Sequence, residues 1–298
     1  MRRILLWLGS LLGLLILIVG ALAALGSSKV NKQYDVEPEE MAVSQDTAVL
    51  NRGQYLVSVN CTGCHGDDLG GTPFFQDPAL GTIPAPNLTS GQGGAAAVYS
   101  DADWVRAIRH GIDPDGKPLM IMPSAAFWHY SDADLAAIIA YLQSAPPVDA
   151  TWEPRQLGLM GRVLVGAGAL DVLDVLAAAH IDHAAPRPAA PAPAVTAAYG
   201  EYIVNTTDCR SCHGANLAGG QSSEPGAPPA PSLAPDGSLA GWSAADFITT
   251  MRTGVTPMGL MLNPDFMPWE DYGRMTDDDL TALFLYLQSL PAAVSTTE

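Results

Sequence analysis

Cys61-Thr62-Gly63-Cys64-His65 is met once more along the chain, as Cys209-Arg210-Ser211-Cys212-His213. The four cysteines of the sequence are all used by these two stretches. C-x-x-C-H is the spacing by which a c-type haem is attached. Two thiols three residues apart lie on one helical turn, where each can add across a haem vinyl group, and the adjoining imidazole is held at the iron. A thioredoxin-like redox pair would need a strand–helix context that neither copy has. A four-cysteine zinc site would have to bridge the chain from Cys64 to Cys209 and would leave both histidines unexplained.

The residues around each motif repeat as well. Asn51-Arg52-Gly53-Gln54-Tyr55-Leu56-Val57 precedes the first motif as Tyr199-Gly200-Glu201-Tyr202-Ile203-Val204 precedes the second. Pro84-Ala85-Pro86-Asn87-Leu88 corresponds to Pro229-Ala230-Pro231-Ser232-Leu233, and residues 100–111 to residues 243–254. Met122-Pro123 to Leu135 lies over Met267-Pro268 to Leu280, and Ala140-Tyr141-Leu142-Gln143-Ser144 over Leu285-Tyr286-Leu287-Gln288-Ser289. This is a tandem duplication of a unit of normal domain size.

Each unit reads as all-α. A helix from Gly53 delivers the first motif, a long Gly/Pro-rich loop follows, and a second helix covers residues 102–109. The last helix starts at the N-cap Ser131, with Asp132 and Asp134 in the first turn, and in the second unit at Thr276. Leu135, Ile138, Ile139 and Leu142 recur at helical spacing, as do Leu280, Leu283 and Leu287. Units this small have few apolar side chains for a core, so the haem is expected to supply core volume. The organisation expected is 1–28 transmembrane anchor, 29–46 tether, 47–148 first haem domain, 149–195 interdomain helix and Pro/Ala-rich linker, and 196–298 second haem domain.

The stretch from Ile4 to Ser28 carries no charge and is long enough to cross a bilayer. A cleaved signal peptide with Ala21-Leu22-Ala23 as its site is the competing reading, but the apolar run exceeds the usual signal-peptide core. With Arg2 and Arg3 held on the cytoplasmic side, the rest is expected on the periplasmic side of a single-pass cytoplasmic-membrane protein. The net charge is −17 from 14 Lys+Arg and 31 Asp+Glu; setting aside Arg2 and Arg3, the remainder carries −19. That balance disfavours nucleic acid and suits a redox partner with a basic docking face. Residues 157–176 are apolar but interrupted by Arg162, Asp171 and Asp174. A second span is therefore not expected, and a helix packed between the haem domains or on a partner subunit is. Residues 184–193 read as a polyproline-like spacer.

The repeat register makes Met122 and Met267 the candidate second axial ligands opposite His65 and His213. Local rivals are Met120 in the first unit and Met258, Met261 and Met275 in the second. Met/His ligation fills both axial positions and raises the potential. His110 and His129 lack histidine counterparts, Thr253 and Arg274 standing there. With His180 and His183 they are read as structural or surface residues. Arg109 and Arg252 share a register, as partners for haem propionates or as part of a solvated helix face.

Each unit resembles a class I cytochrome c domain, through Gly53, Cys61-x-x-Cys64-His65, Met122-Pro123 and the Tyr141-Leu142 helix. The resemblance covers about residues 47–148 and 196–292. It implies a proline carbonyl on each proximal histidine, for which Pro86 and Pro231 are the candidates. The pair is similar to the tandem domains in cytochrome subunits of membrane-bound alcohol and aldehyde dehydrogenases, which usually carry three haem domains where this chain has two. The function implied is electron transfer between redox partners with two covalently bound haem c groups, and no residue performing bond chemistry. The alternatives are a di-haem peroxidase-type enzyme, which needs an open haem, and a fixed subunit of a dehydrogenase or respiratory complex. A thiosulfate-oxidising enzyme would need a spare cysteine that the chain lacks.

Overall fold

The computed structural model describes residues 2–171, 174–186, 189–221 and 226–292. The chain begins with α1 (Arg2–Val30), an apolar helix with its side chains exposed over most of its length. The first unit follows with α2 (Thr47–Asn60), α3 (Thr62–His65), strands β1 (Thr72–Asp77) and β2 (Gly81–Ala85), α4 (Asp101–His110), α5 (Ser124–Phe127) and α6 (Asp132–Ser144). The connector holds β3 (Gln156–Leu157) and α7 (Leu159–Ala167). The second unit has α8 (Ala197–Thr206), α9 (Cys209–His213), α10 (Ala244–Thr253), α11 (Trp269–Tyr272) and α12 (Asp277–Ser289).

The duplication is visible in how the helices begin, end and cross. Ser100 caps α4 and Ser243 caps α10, each in a capping box closed by the aspartate three residues on. Gly111 and Gly254, with φ of 65° and 69°, end those helices in the left-handed region that glycine enters at no steric cost. Ser131 and Thr276 cap α6 and α12 through their side chains, as their sequence context anticipates. Gly53 lets α2 press onto α6: a Cβ there would stand 1.9 Å from the Ala137 carbonyl oxygen. Gly200 does the same for α8 on α12, with a Cβ 2.0 Å from the Ala282 carbonyl oxygen. Leu135, Ile138, Ile139 and Leu142 are all buried beneath the first crossing and Leu280, Leu283 and Leu287 beneath the second.

The two units face each other with the same reciprocity. Tyr55 and Tyr202 occupy one repeat register, and each reaches across to the start of the other unit's last helix. The Tyr202 hydroxyl donates to Asp134 Oδ2 at 2.7 Å and accepts from the Ser131 N–H at 3.1 Å. The Tyr55 hydroxyl donates to Asp279 Oδ2 at 2.5 Å and accepts from the Thr276 N–H at 3.2 Å. Arg52 joins the first arrangement, bidentate to Asp134 at 2.8 Å and bonded to the Tyr199 hydroxyl at 3.0 Å. One core cluster runs continuously through both units.

Two parts of the architecture depart from the sequence-based expectation. The loop after the first motif contains a hairpin, β1 antiparallel to β2, with β3 of the connector added to its free edge. Asp77 makes the hairpin turn by accepting from the Ala79 and Leu80 N–H groups. Pro73 and the adjacent pair Phe74-Phe75 spoil any alternating pattern, and the pairing partner at residues 156–157 is remote in sequence, so no local signal marks the sheet. The connector helix α7 lies against the last turns of α1 rather than between the haem units. A Cβ on Gly26 would stand 1.9 Å from the Arg162 carbonyl oxygen, and one on Gly166 1.9 Å from that of Leu22, so small residues bring the two backbones into contact. Lys29 completes the junction, donating to the Val165 carbonyl at 3.0 Å and lying 3.6 Å from Asp171. Val30, Ile83, Met120, Val165 and Leu176 form a separate small core there, tying the end of α1 to the first unit. The spacer at residues 184–193 includes Arg187 and Pro188, which lie outside the described residues.

Candidate haem-attachment sites

In the first unit the helical path of α2 is broken at Cys61 and resumes as α3, so Cys61, Cys64 and His65 share one turn. The Cys61 N–H bonds to the Val57 carbonyl at 2.9 Å and the His65 N–H to the Cys61 carbonyl at 2.9 Å. Thr62 Oγ1 donates back to Ser58 at 2.9 Å, and Thr72 Oγ1 holds the Cys64 carbonyl at 2.6 Å. The second unit changes direction at Asp208, in the left-handed region with φ of 56°, before α9. Thr207 Oγ1 donates to the Ile203 carbonyl at 2.7 Å there. The four thiols form no disulfide and are half-buried. Burial pushes the Cys61 thiol up to about 12, with Cys64 adding to it, and that of Cys209 up to about 11.

Behind each histidine the backbone is folded identically. Gly66 and Gly214 have φ of 81° and 80°, and the buried Leu69 and Leu217 have φ of 60° and 59°. Leucine pays about 1–2 kcal/mol for that conformation, and both copies accept it because the loop bonds require it. Gly71 N–H reaches the His65 carbonyl at 2.9 Å and Gly219 N–H the His213 carbonyl at 3.0 Å. Leu88 N–H reaches Leu69, and Leu233 N–H reaches Leu217, each at 2.8 Å. These bonds set the proline carbonyls: His65 Nδ1 lies 2.8 Å from Pro86 O, and His213 Nδ1 lies 2.8 Å from Pro231 O. A carbonyl can only accept, so Nδ1 carries the proton and Nε2 keeps its lone pair. Burial lowers the pKa of both imidazoles, more than the proline carbonyls raise it. A neutral imidazole with Nε2 available, beside two thiols on one turn, fits a covalently attached haem in both units.

The methionines separate by environment. Met122 packs against the main core, whereas Met120 is buried in the small core around Val30 and Val165. Ile121 between them, with φ of 66° and its N–H on the Val175 carbonyl, turns the two side chains to different sides. Met267 also packs on the main core, Met258 and Met261 are exposed, and Met275 is buried between the units. Pro123 and Pro268 after Met122 and Met267 have matching backbones, φ/ψ of −79°/53° and −74°/59°.

Arg109 is fully buried, donating to the Tyr130 carbonyl at 2.8 Å and to Asp132 at 3.0 Å, with Glu39 at 3.5 Å. Arg252 is half-exposed and bonds Asp277 at 2.7 Å. Both arginines therefore meet the first residue of the last helix, a shared role not read in the sequence. In the first unit Trp104 Nε1, the Tyr130 hydroxyl and Arg109 Nε are buried without hydrogen-bond partners, a set of donors that suits an anion-bearing group in that interior.

Sequence reasoning missed the interface tyrosines and a histidine pair. His110 Nδ1 and His183 Nδ1 are 3.1 Å apart, with His110 Nε2 3.6 Å from Glu39. The repeat register of Tyr55 and Tyr202 was the one available signal for the former; the latter joins tether, first unit and connector and leaves no trace in any local pattern.

The fold and the two histidine sites define a tandem pair of haem-binding α-domains. A family model described as cytochrome c matches residues 50–146 and 197–291, so the chain belongs to the cytochrome c family. Each matched region holds one C-x-x-C-H, and the chain carries two covalently bound haem c groups, whose irons exchange one electron each. Among similar proteins is the cytochrome c subunit of a quinone alcohol dehydrogenase of Gluconacetobacter polyoxogenes, 28% identical over 83% of this chain and 57% of that protein. The fructose dehydrogenase cytochrome subunit of Gluconobacter japonicus is 28% identical over 82% of this chain and 53% of that protein. A diheme cytochrome c-type protein of Cereibacter sphaeroides is 24% identical over 83% of this chain and 87% of that protein. The chain thus spans little more than half the length of the dehydrogenase subunits, and most of the di-haem protein. It is an electron-transfer cytochrome.

Proposed function

We propose that this chain is a membrane-anchored di-haem cytochrome that accepts electrons from a dehydrogenase on the periplasmic side and passes them to a second redox protein. His65 with Met122 and His213 with Met267 ligate the two irons, and Pro86 and Pro231 hold the proximal imidazoles. The observation that carries this reading is the duplicated geometry: the same histidine–proline bond and the same methionine–proline turn in both units. Held by a histidine and a methionine each, the haems would exchange electrons and would not bind peroxide.

The dehydrogenase partner is proposed from the relatives, and a basic docking face on the partner from the acidic balance of the chain. As the anchor, α1 has 29 residues, which at 1.5 Å each is about 43 Å, longer than a ~30 Å hydrocarbon layer. Arg2 and Arg3 at one end and the α7 junction at the other fit a single span with the haems outside.

Two experiments test this. Met122→Leu should abolish the Met–Fe(III) absorption of one haem and lower its potential, while Met120→Leu leaves both unchanged; the opposite pattern would overturn the ligand assignment. Extraction of native membranes in mild detergent should recover the chain with a dehydrogenase subunit. Recovery as a free single chain would refute the subunit reading.

A further inference from the structure

The reciprocity between the two units also breaks on the first haem-attachment turn. α11 meets α2 as α5 meets α8, so each unit presents a short helix, and the turn after it, to the other. From the second unit, Arg274 Nη1 donates to Thr62 Oγ1 at 2.8 Å, and Nη2 lies 2.9 Å from Asp67 and 3.7 Å from Asp271. Asp271 rests on the glycine between Cys61 and Cys64: a Cβ on Gly63 would stand 2.4 Å from its Oδ2. In the repeat register set by Met122 and Met267, the first unit has Ala126 and His129 at these positions. Ala126 carries no charge, and burial, with Arg210 nearby, keeps His129 toward its neutral form. The second attachment turn instead carries its own guanidinium, Arg210, braced on Asn205 at 3.0 Å and on the Tyr286 hydroxyl at 2.9 Å.

We propose that Asp271 and Arg274 of the second unit set the reduction potential of the haem held by Cys61, Cys64 and His65, and do not act on the other haem. The inference rests on one haem per motif and is independent of the methionine assignment. Ferric haem carries one more positive charge than ferrous haem. A cation at the attachment turn therefore favours the reduced form and raises the potential, and a carboxylate lowers it. Asp271 is the more buried of the two, with its side chain 22% exposed against 37% for Arg274, so its charge is the less screened. Removing Arg274 leaves Asp67 and Asp271 unopposed at the turn. Removing the charge of Asp271 leaves Arg274 with Asp67 alone.

The test is a spectroscopic redox titration of the full, haem-loaded chain in detergent, with two haems per chain verified for each variant. Arg274→Gln should lower one midpoint, shifting that reduction equilibrium by about three- to tenfold, tenfold being about 59 mV for one electron. Asp271→Asn should raise the same midpoint by a similar or larger factor. Arg274→Lys should restore most of the loss, and Arg210→Gln should lower the other midpoint. Shifts of the two charge variants in the same direction, movement of both midpoints together, no movement, or a shared response to Arg210→Gln would each overturn the proposal.

Discussion

Replacing Tyr202 with Phe removes one oxygen atom and tests whether the two haem units are held as a fixed pair. In the native chain that hydroxyl donates to Asp134 at 2.7 Å and accepts from the Ser131 N–H at 3.1 Å, in a buried setting. A hydrogen bond to a charged partner contributes about 1.5–3 kcal/mol. Asp134 keeps its bidentate contact with Arg52, so its carboxylate is not left unpaired. The loss therefore stays below the ~3–5 kcal/mol of a broken buried ion pair, and about 2 kcal/mol is expected. Tyr55→Phe removes the matching contact to Asp279, which is more exposed, and about 1 kcal/mol is expected. The assay is guanidinium unfolding of the haem-loaded chain. With a slope of about 2–6 kcal/mol per M, the Tyr202→Phe midpoint should fall by roughly 0.3–1 M, and the Tyr55→Phe midpoint by about half as much. Losses under about 0.5 kcal/mol in both variants, or a larger loss for Tyr55→Phe, would refute the idea that these contacts hold the pair together.

Three further outcomes follow from the same geometry. Gly53→Val or Gly200→Val puts side-chain atoms where the facing helix carbonyl stands, so either should separate its helix pair and cost more than the ~1–3 kcal/mol of ordinary overpacking; haem content per chain reads this, and a fully loaded variant of wild-type stability would contradict it. The His110 pKa is lowered from 6.5 to about 4 by burial first, then by His183, Arg109 and Arg106. Because the folded form binds fewer protons, this group's contribution is complete above about pH 6.5 and is lost as pH falls from there toward about 4; unfolding of wild type and His110→Phe across that window should show the slope in the former and its reduction in the latter. Truncating the α1–α7 junction through Lys29→Ala should loosen α1 from the first unit without shifting either haem potential, seen as faster hydrogen exchange at residues 22–30; unchanged exchange would place the junction's stability in the Gly26–Gly166 contact alone.

Much of this structure was readable in the sequence because the duplication supplies a second copy of every local signal. The haem turns, the caps at Ser131 and Thr276 and the apolar stripe of α6 depend on near neighbours in the chain. Residues three or four apart, or one turn of backbone, fix them. The candidate carbonyls of Pro86 and Pro231 also come to the histidines, through loops whose glycines and Leu69 and Leu217 recur in both copies. What stayed hidden depends on distant partners. The β1–β2 hairpin finds its third strand at residues 156–157, and α7 finds α1 across more than a hundred residues. Arg109 and Arg252 are drawn to aspartates at the start of each unit's last helix, which a helix-face pattern does not specify. Tyr55 and Tyr202 look like ordinary helix positions until the units are brought face to face.

On the proposed function, both haems are closed by histidine and methionine and serve only to carry electrons. The most direct measurement is a redox titration of the full haem-loaded chain that follows the near-infrared Met–Fe(III) band, with peroxide added at each poised potential. Two high-potential haems that both show the band, with no peroxide consumed, are the predicted result. One low-potential haem without the band, accompanied by peroxide turnover, would contradict that ligation and make this chain an enzyme.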